Sequence, residues 1–378
     1  MTRKTYVSGS ANKSLRKTVP GIGGARNRKV DRKKIAGVLS KIAEIEDHDQ
    51  MKRKLSSLKN EVSEENSPYR IEDTRDESMV NAPYIIGEIE QAISSYTLER
   101  SRYYIMRLVR SLTEEKKSNI NDINLNLWKS YPDIITDSLW NLDRRESDKG
   151  NLAWYWGNYV PQIPRQFILR FSKKGEWIFD PFAGSGTTLF EASRLGRNSV
   201  GLDINKDVTA RVSMALRPAL QGLPVKSILL ERDSLTADFH ETLAEAGTET
   251  AQLIFLHPPY FDIIKFNGDS RDLSNSESLE DFLERMKTIG RKCYDVLDSG
   301  RYIVLVIGDK YAEGSWIPVG FYTMQKLMEV GFRLKSIVVK NFDVTRGKRN
   351  QNELWRYRAL AGGYYVFKHE YIFLMQKK

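Results

Sequence analysis

The chain has 378 residues, 40% hydrophobic and 29% charged, enough for one large domain with additions. One cysteine, Cys293, excludes a disulfide framework and a thiolate metal cage, and the four histidines, His48, His240, His257 and His369, show no metal-ligand spacing. The net charge of +10 is concentrated at the start, where residues 1–41 hold 12 Lys/Arg against the single acid Asp31.

Residues 1–41 therefore read as a basic, disordered arm, richest in Gly, Ser and Lys/Arg over 1–30. Such an arm can bind a polyanion through phosphate contacts and counterion release. It lacks the apolar stretch of a secretion signal, and no apolar run in the chain approaches the ~18 residues of a membrane span. A reduced, cytoplasmic setting is expected. Residues 42–68 are expected to form a helix and a linker. Ile35, Leu39, Ile42 and Ile45, then Met51, Leu55, Leu58 and Val62, recur at helical spacing, with a phase slip at "EDHDQ" (46–50). That slip predicts one broken helix or two short ones. The polar stretch 61–78 reads as linker. Residues 69–149 read as a helical N-terminal region, with apolar residues three and four apart and basic residues between them.

From residue 150 to 378 the texture changes to short apolar runs alternating with helical patterns. Strands are predicted at 176–180, 199–204, 226–234, 251–256, 301–308, 332–340 and 364–376, and helices at 187–196, 206–216, 279–297 and 318–331. Alternation of this kind predicts an α/β fold, a mainly parallel sheet with helices on both faces. Ligands of such sheets bind beyond the carboxyl ends of the strands.

Two stretches carry chemistry. The first strand runs into "DPFAGSGTTLFEA" (180–192). Gly184 and Gly186 allow a turn and close backbone approach, while Ser185, Thr187 and Thr188 open a helix, where an anionic group is favoured. The second strand ends in Asp203, placed to accept the hydroxyls of a ribose. There is no P-loop lysine and no full G-x-G-x-x-G. A nucleoside with a zwitterionic tail, such as S-adenosylmethionine, fits better than ATP or a dinucleotide. The second stretch is "HPPY", His257-Pro258-Pro259-Tyr260, directly after the apolar run 251–256. Two prolines there make a stiff corner past a strand end, presenting one imidazole and one aromatic ring.

"DPFAGSGTT" followed by "HPPY" resembles the DNA methyltransferases that modify exocyclic amino groups, cytosine-N4 or adenine-N6. "YVPQIPRQFILRFSKKGEWIFDPFAGSGTT" (159–188), "GRNSVGLDIN" (196–205) and "HEYIFLMQKK" (369–378) extend the likeness over roughly 150–378. The resemblance implies a Rossmann-like methyltransferase fold with a seven-stranded, mostly parallel sheet whose last strand is antiparallel. It implies S-adenosylmethionine as cofactor, held by Asp180, Phe182, Gly184, Ser185, Gly186, Thr187, Asp203 and, at the adenine, Asp233. It further implies DNA as substrate, with His257, Pro258, Pro259 and Tyr260 catalytic, and a restriction endonuclease as companion. In the family the four-residue motif begins with Asp, Asn or Ser. That side chain and the first proline's carbonyl accept the amino hydrogens of a flipped base, and the aromatic stacks on it, a role open to phenylalanine. Here His257 stands first, and a neutral imidazole offers one acceptor nitrogen. An RNA or protein-amide methyltransferase, or an inactive DNA-binding relative, are the competing readings.

Cys293 falls inside a predicted helix and reads as structural, against a cysteine-nucleophile mechanism. The stretch 344–365 reads as a loop interleaving Arg346, Lys348, Arg349, Arg356 and Arg358 with Trp355 and Tyr357, suited to phosphate contact and base stacking. Asp309, just after a strand, reads as either a pocket residue or a plain turn.

Overall fold

A computed structural model describes residues 28–71, 79–142, 157, 159–263, 268–341 and 352–378. The arm up to residue 27 and the basic residues Arg346, Lys348 and Arg349 lie outside the described residues. The chain divides into two compact units, one of residues 1–116 and 125–131, the other of residues 117–124 and 132–378.

The first unit contains β1 (Lys29–Asp31), α1 (Arg32–Ala43), α2 (His48–Ser63), β2 (Met79–Asn81), α3 (Ala82–Ile93) and α4 (Leu98–Thr113). Residues 32–41, assigned to the disordered arm by their charge, form most of α1, as the helical spacing from Ile35 onward predicts. Asp31 caps that helix by accepting from the Lys33 and Lys34 amides at 2.8 and 3.1 Å, and Ile35 and Leu39 are fully buried. Burial of that apolar stripe outweighs the repulsion of its basic residues. The phase slip is a true break, because Asp47 caps a separate α2. The linker expectation for 61–78 fails at its start, since α2 runs on to Ser63. β1 and β2 pair antiparallel, and the helices enclose Met51, Leu55, Leu58, Ile85, Ile89, Ile105 and Leu108. Beyond Thr113 the expected helical pattern gives way to a 3-10 turn over Leu125–Ser130.

The second unit holds β3 (Leu139–Asn141), α5 (Gln162–Phe171), β4 (Trp177–Asp180), α6 (Thr187–Arg194), β5 (Asn198–Asp203), α7 (Lys206–Ala219), β6 (Ser227–Glu231) and α8 (Phe239–Ala246). It continues with β7 (Ala251–Leu256), α9 (Leu279–Val296), β8 (Leu297–Ile307), β9 (Lys310–Ala312), β10 (Ser315–Ile317), α10 (Val319–Val330), β11 (Arg333–Asn341), α11 (Asn352–Gly362) and β12 (His369–Gln376). This unit begins before residue 150. The Asp122 carboxylate accepts from the Lys174 amide at 2.8 Å and the buried Arg197 guanidinium at 2.9 Å, tying residues 117–124 to the sheet.

The central sheet has the order β3-β11-β12-β8-β7-β4-β5-β6. β12 is antiparallel to both its neighbours and the other pairings are parallel, as expected for the last strand. The sheet has eight strands rather than seven, because the short β3 adds at the edge beside β11. α8, α9 and α10 cover one face through Phe239, Phe282, Met286 and Leu327, and α5 and α6 cover the other through Ile163, Phe167 and Ala192. This is a Rossmann-like α/β architecture. Strands buried on both faces read as continuous apolar runs, which is why β7 and β8 stood out in the sequence. The predicted loop 344–365 contains α11 instead. Leu, Arg and Ala give 352–362 good helix propensity, and Gly363, with φ 67°, ends it. Among the described residues no helix is long and apolar enough to cross a membrane.

Candidate active site

β4, between β7 and β5 in the sheet, delivers Asp180 to its carboxyl end, and the glycine loop follows. Gly184 and Gly186 take φ of 50° and 76°, and a Cβ on Gly186 would lie 2.7 Å from Val212 of α7, so backbone and space both demand glycine there. Gly186 opens α6, and the Ser185 and Thr187 hydroxyls lie 3.3 Å apart in that first turn. Asp180 is fully buried; its Oδ1 accepts from the Phe182 amide at 3.0 Å and its Oδ2 from the Thr188 hydroxyl. Burial, with the Asp203 charge nearby, pushes the Asp180 carboxyl up to about 7. Asp203, at the end of β5, accepts from the Asn205 amide at 2.8 Å and from the Gly184 amide. Burial, with Asp272 adding to it, pushes Asp203 up to about 6. Crowded carboxylates beside a loop with no room for a side chain at Gly186 suit a ligand bringing hydroxyls and positive charge. S-adenosylmethionine is such a ligand, so the residues present fit it.

Asp233 lies in the turn after β6. Its carboxylate accepts from the Leu235 amide at 2.8 Å and the Thr236 hydroxyl at 3.3 Å. It lines a cavity of about 520 Å³ with Leu235, Ser270, Arg271, Glu284 and Arg285. Lys292 of α9 holds this turn by donating to the Leu235 and Ala237 carbonyls at 2.5 and 2.9 Å, a contact between distant segments that no local motif announces.

β7 delivers the second motif. Pro258 is buried, the Pro259 carbonyl accepts from the Phe261 amide at 2.9 Å, and Phe261 takes a left-handed φ of 56°, so the chain turns sharply after Tyr260. The Lys310–Asp262 ion pair, at 2.5 Å, ties that turn to β9. The partly buried His257 has its Nε2 3.2 Å from the Tyr260 hydroxyl, which donates to Glu370 Oε2 at 3.0 Å. Glu370 Oε1 in turn pairs with Lys340 Nζ at 3.0 Å. Burial lowers the His257 pKa to about 4, outweighing the attraction of Glu370, so the imidazole is neutral at physiological pH. Burial and the same carboxylate push the Tyr260 phenol well up. Gly308, at the end of β8, packs against the Tyr260 ring: a Cβ there would lie 2.9 Å from a ring carbon.

Tyr159 joins the two motifs. Its ring packs on His257 with centroids 4.6 Å apart, while its hydroxyl bonds that of Thr188, itself bonded to Asp180. The glycine loop and HPPY therefore stand side by side at the carboxyl ends of β4 and β7, where the strand order reverses. Tyr159, Glu370, Lys340 and Gly308 escaped sequence reasoning as site residues. The available signal was a carboxylate near the start of an otherwise apolar last strand. Asp309 is not free for a target: it accepts from the Trp316 indole at 2.9 Å and the Gly320 amide at 3.0 Å, capping α10. Cys293 is fully buried in α9 and burial raises its thiol pKa, so it is no nucleophile.

Residues 30–213 and 251–378 match the family described as DNA methylase. A stretch of 114 residues is 36% identical to a Type II methyltransferase, M.MjaII, of Methanocaldococcus jannaschii, covering 30% of this chain and 21% of the relative. Another of 87 residues is 50% identical to the Type II methyltransferase M2.DpnII of Streptococcus pneumoniae, covering 22% of this chain and 29% of the relative. The likeness thus spans less than a third of either relative. Among solved structures, TrmN from Thermus thermophilus has a TM-score of 0.38 at 15% identity, covering 75% of this chain and 68% of that one. Magnesium protoporphyrin IX methyltransferase from Synechocystis PCC 6803 has a TM-score of 0.34 at 11% identity, covering 54% of this chain and 71% of that one. With the family match running through both units, the glycine loop and HPPY, the chain belongs to the DNA methylase family.

Proposed function

We propose that this protein transfers a methyl group from S-adenosylmethionine to the exocyclic amino group of a base turned out of DNA, cytosine-N4 ahead of adenine-N6 on resemblance alone. The observation that carries the reading is Tyr159, which ties the glycine loop to His257 and makes one site of two motifs. Asp203 takes the ribose hydroxyls, Asp233 the adenine edge, and Asp180, Phe182, Gly184, Ser185, Gly186 and Thr187 enclose the remainder of the cofactor. Bound there, S-adenosylmethionine supplies an electrophilic methyl group. Neutral His257 and the Pro258 carbonyl accept the amino hydrogens, orienting the nitrogen lone pair and stabilising the positive charge that develops on it. Pro259 stiffens the corner, and the Tyr260 ring, backed by Gly308, stacks on the extruded base.

DNA would reach the site across α11. That helix connects the end of β11 to the start of the antiparallel β12, so it stands at the same sheet edge as HPPY. Arg356, Tyr357 and Arg358 are exposed on it, with Arg358 5.2 Å over the Trp355 ring. The likeness to Type II methyltransferases supports a role beside a restriction endonuclease. The test is incubation with labelled cofactor and DNA, RNA or protein, followed by mass spectrometry of the digested DNA. N4-methylcytosine is expected, and N6-methyladenine would change the base but keep the chemistry. Finding 5-methylcytosine, or transfer to RNA or protein alone, overturns the reading.

A further inference from the structure

The four polar groups at HPPY form a chain whose proton positions follow from donor and acceptor chemistry. Lys340 and Glu370 are directly paired across β11 and β12, and their side chains form an ion pair. Because β12 is antiparallel, its first residues lie at the carboxyl ends of the parallel strands, beside the catalytic corner. A carboxylate held by an ammonium only accepts. The Tyr260 hydroxyl must therefore give its one proton to Glu370, leaving only its oxygen lone pairs for His257. The imidazole Nε2, 3.2 Å away, must then carry a hydrogen, so the lone pair resides on Nδ1. The opposite tautomer would set the Nε2 lone pair against a phenol oxygen whose only proton is already given away.

We propose that Lys340 and Glu370 are positioning residues that hold His257 as the Nε2–H tautomer and so make Nδ1 the acceptor for the target amino group. The proposal rests on the reading of His257 as an acceptor given above. Its device replaces the fixed acceptor oxygen of Asp, Asn or Ser with a nitrogen whose availability is set through three side chains from two other strands and the motif itself. The groups facing the imidazole are Tyr260 and, through it, Glu370 and Lys340 on one side, and the Tyr159 ring on the other. The low pKa of His257 agrees with this, since a protonated ring would have no acceptor.

The substitution Glu370→Gln separates this from a merely structural role. Lys340 can only donate, so it holds the amide oxygen and turns the amide NH₂ towards Tyr260. The phenol must then donate to Nε2, and His257 is driven to the Nδ1–H form. Long-range ¹H–¹⁵N correlation spectra of full-length protein labelled at histidine report the tautomer without cofactor or DNA, and only four imidazoles contribute. The His257 signals are assigned by His257→Asn. The wild type should show Nε2–H, and Glu370→Gln should show Nδ1–H with turnover lower by on the order of 10² and DNA affinity unchanged. Adding Lys340→Met to Glu370→Gln frees the amide to turn and should restore Nε2–H and part of the turnover. Tyr260→Phe should populate both tautomers. An Nδ1–H or charged His257 in the wild type, or an unchanged tautomer in Glu370→Gln, overturns the proposal whatever the activity. A tautomer that inverts while turnover stays at the wild-type level overturns instead the acceptor role of His257 on which it rests.

Discussion

Gly308→Ala tests whether the position of Tyr260 matters on the scale of a fraction of an ångström. Gly308 is buried and is not among the residues with positive φ, so alanine meets no backbone strain there. Its methyl carbon would lie 2.9 and 3.1 Å from two Tyr260 ring carbons, where ordinary contact begins at 3.4 Å. The ring must retreat by about 0.5 Å. The same displacement stretches the 3.2 Å contact with His257 and the 3.0 Å bond to Glu370 towards or past the limit of useful geometry. Overpacking of this kind costs ~1–3 kcal/mol of stability, and a misplaced catalytic group costs up to ~10²-fold in rate. Turnover at saturating DNA and cofactor should fall about 10- to 100-fold. Cofactor affinity by calorimetry should hold, because Gly308 is remote from Asp203 along the sheet edge, with β7 and β4 between their strands. Urea denaturation should show the protein still folding cooperatively. Turnover at the wild-type level in a folded Gly308→Ala protein would show that the Tyr260 ring has slack, and the tight-corner account would fail.

The buried carboxylates predict a pH dependence. Asp180 and Asp203 are raised from 3.8 to about 7 and about 6, so folding favours their protonated forms. That stabilising contribution is complete below ~4 and is lost as pH rises through 6 to 7, making the cofactor-free protein less stable at pH 8 than at pH 5. A positively charged cofactor favours the ionised carboxylates, so binding should tighten over the same window with release of about one to two protons, measured by calorimetry in buffers of different ionisation enthalpy. A flat affinity from pH 5 to 8 would place the cofactor's charge elsewhere. Removing residues 1–27, with six Lys/Arg and no acid, should weaken DNA binding and reduce the salt slope by up to ~5 while sequence preference stays put. An unchanged slope in a salt titration would leave the arm without phosphate contacts.

The alternation of strands and helices was legible because each strand of this sheet is buried on both faces and each helix shows its stripe to one of them. The local punctuation was legible too. Gly184 and Gly186 mark a turn of left-handed backbone that favours glycine, Asp203 ends a strand, and two prolines after β7 make a corner by covalent geometry alone. The misreadings arose where distant segments decide. β3 is a strand only because β11 lies alongside it, and three residues carry no period of their own. In residues 32–41 the charge suggests a solvated tail and the spacing of Ile35 and Leu39 a helix, and burial of those two residues against other helices decides for the helix. In residues 352–362 the basic and aromatic residues suit a nucleic-acid-binding loop, but the helix propensity of Leu, Arg and Ala decides the element.

The sequence by itself determined the α/β class, the glycine loop and the HPPY corner, because each depends on residues within a few positions of one another. Tertiary structure alone decided what that corner can do. The β11–β12 register sets Lys340 against Glu370, the antiparallel sense of β12 brings the pair to the site, and Gly308 and Tyr159 close on Tyr260 and His257 from other elements. The proton on His257 depends on a partner 113 positions away in the chain, and no local rule reaches that far.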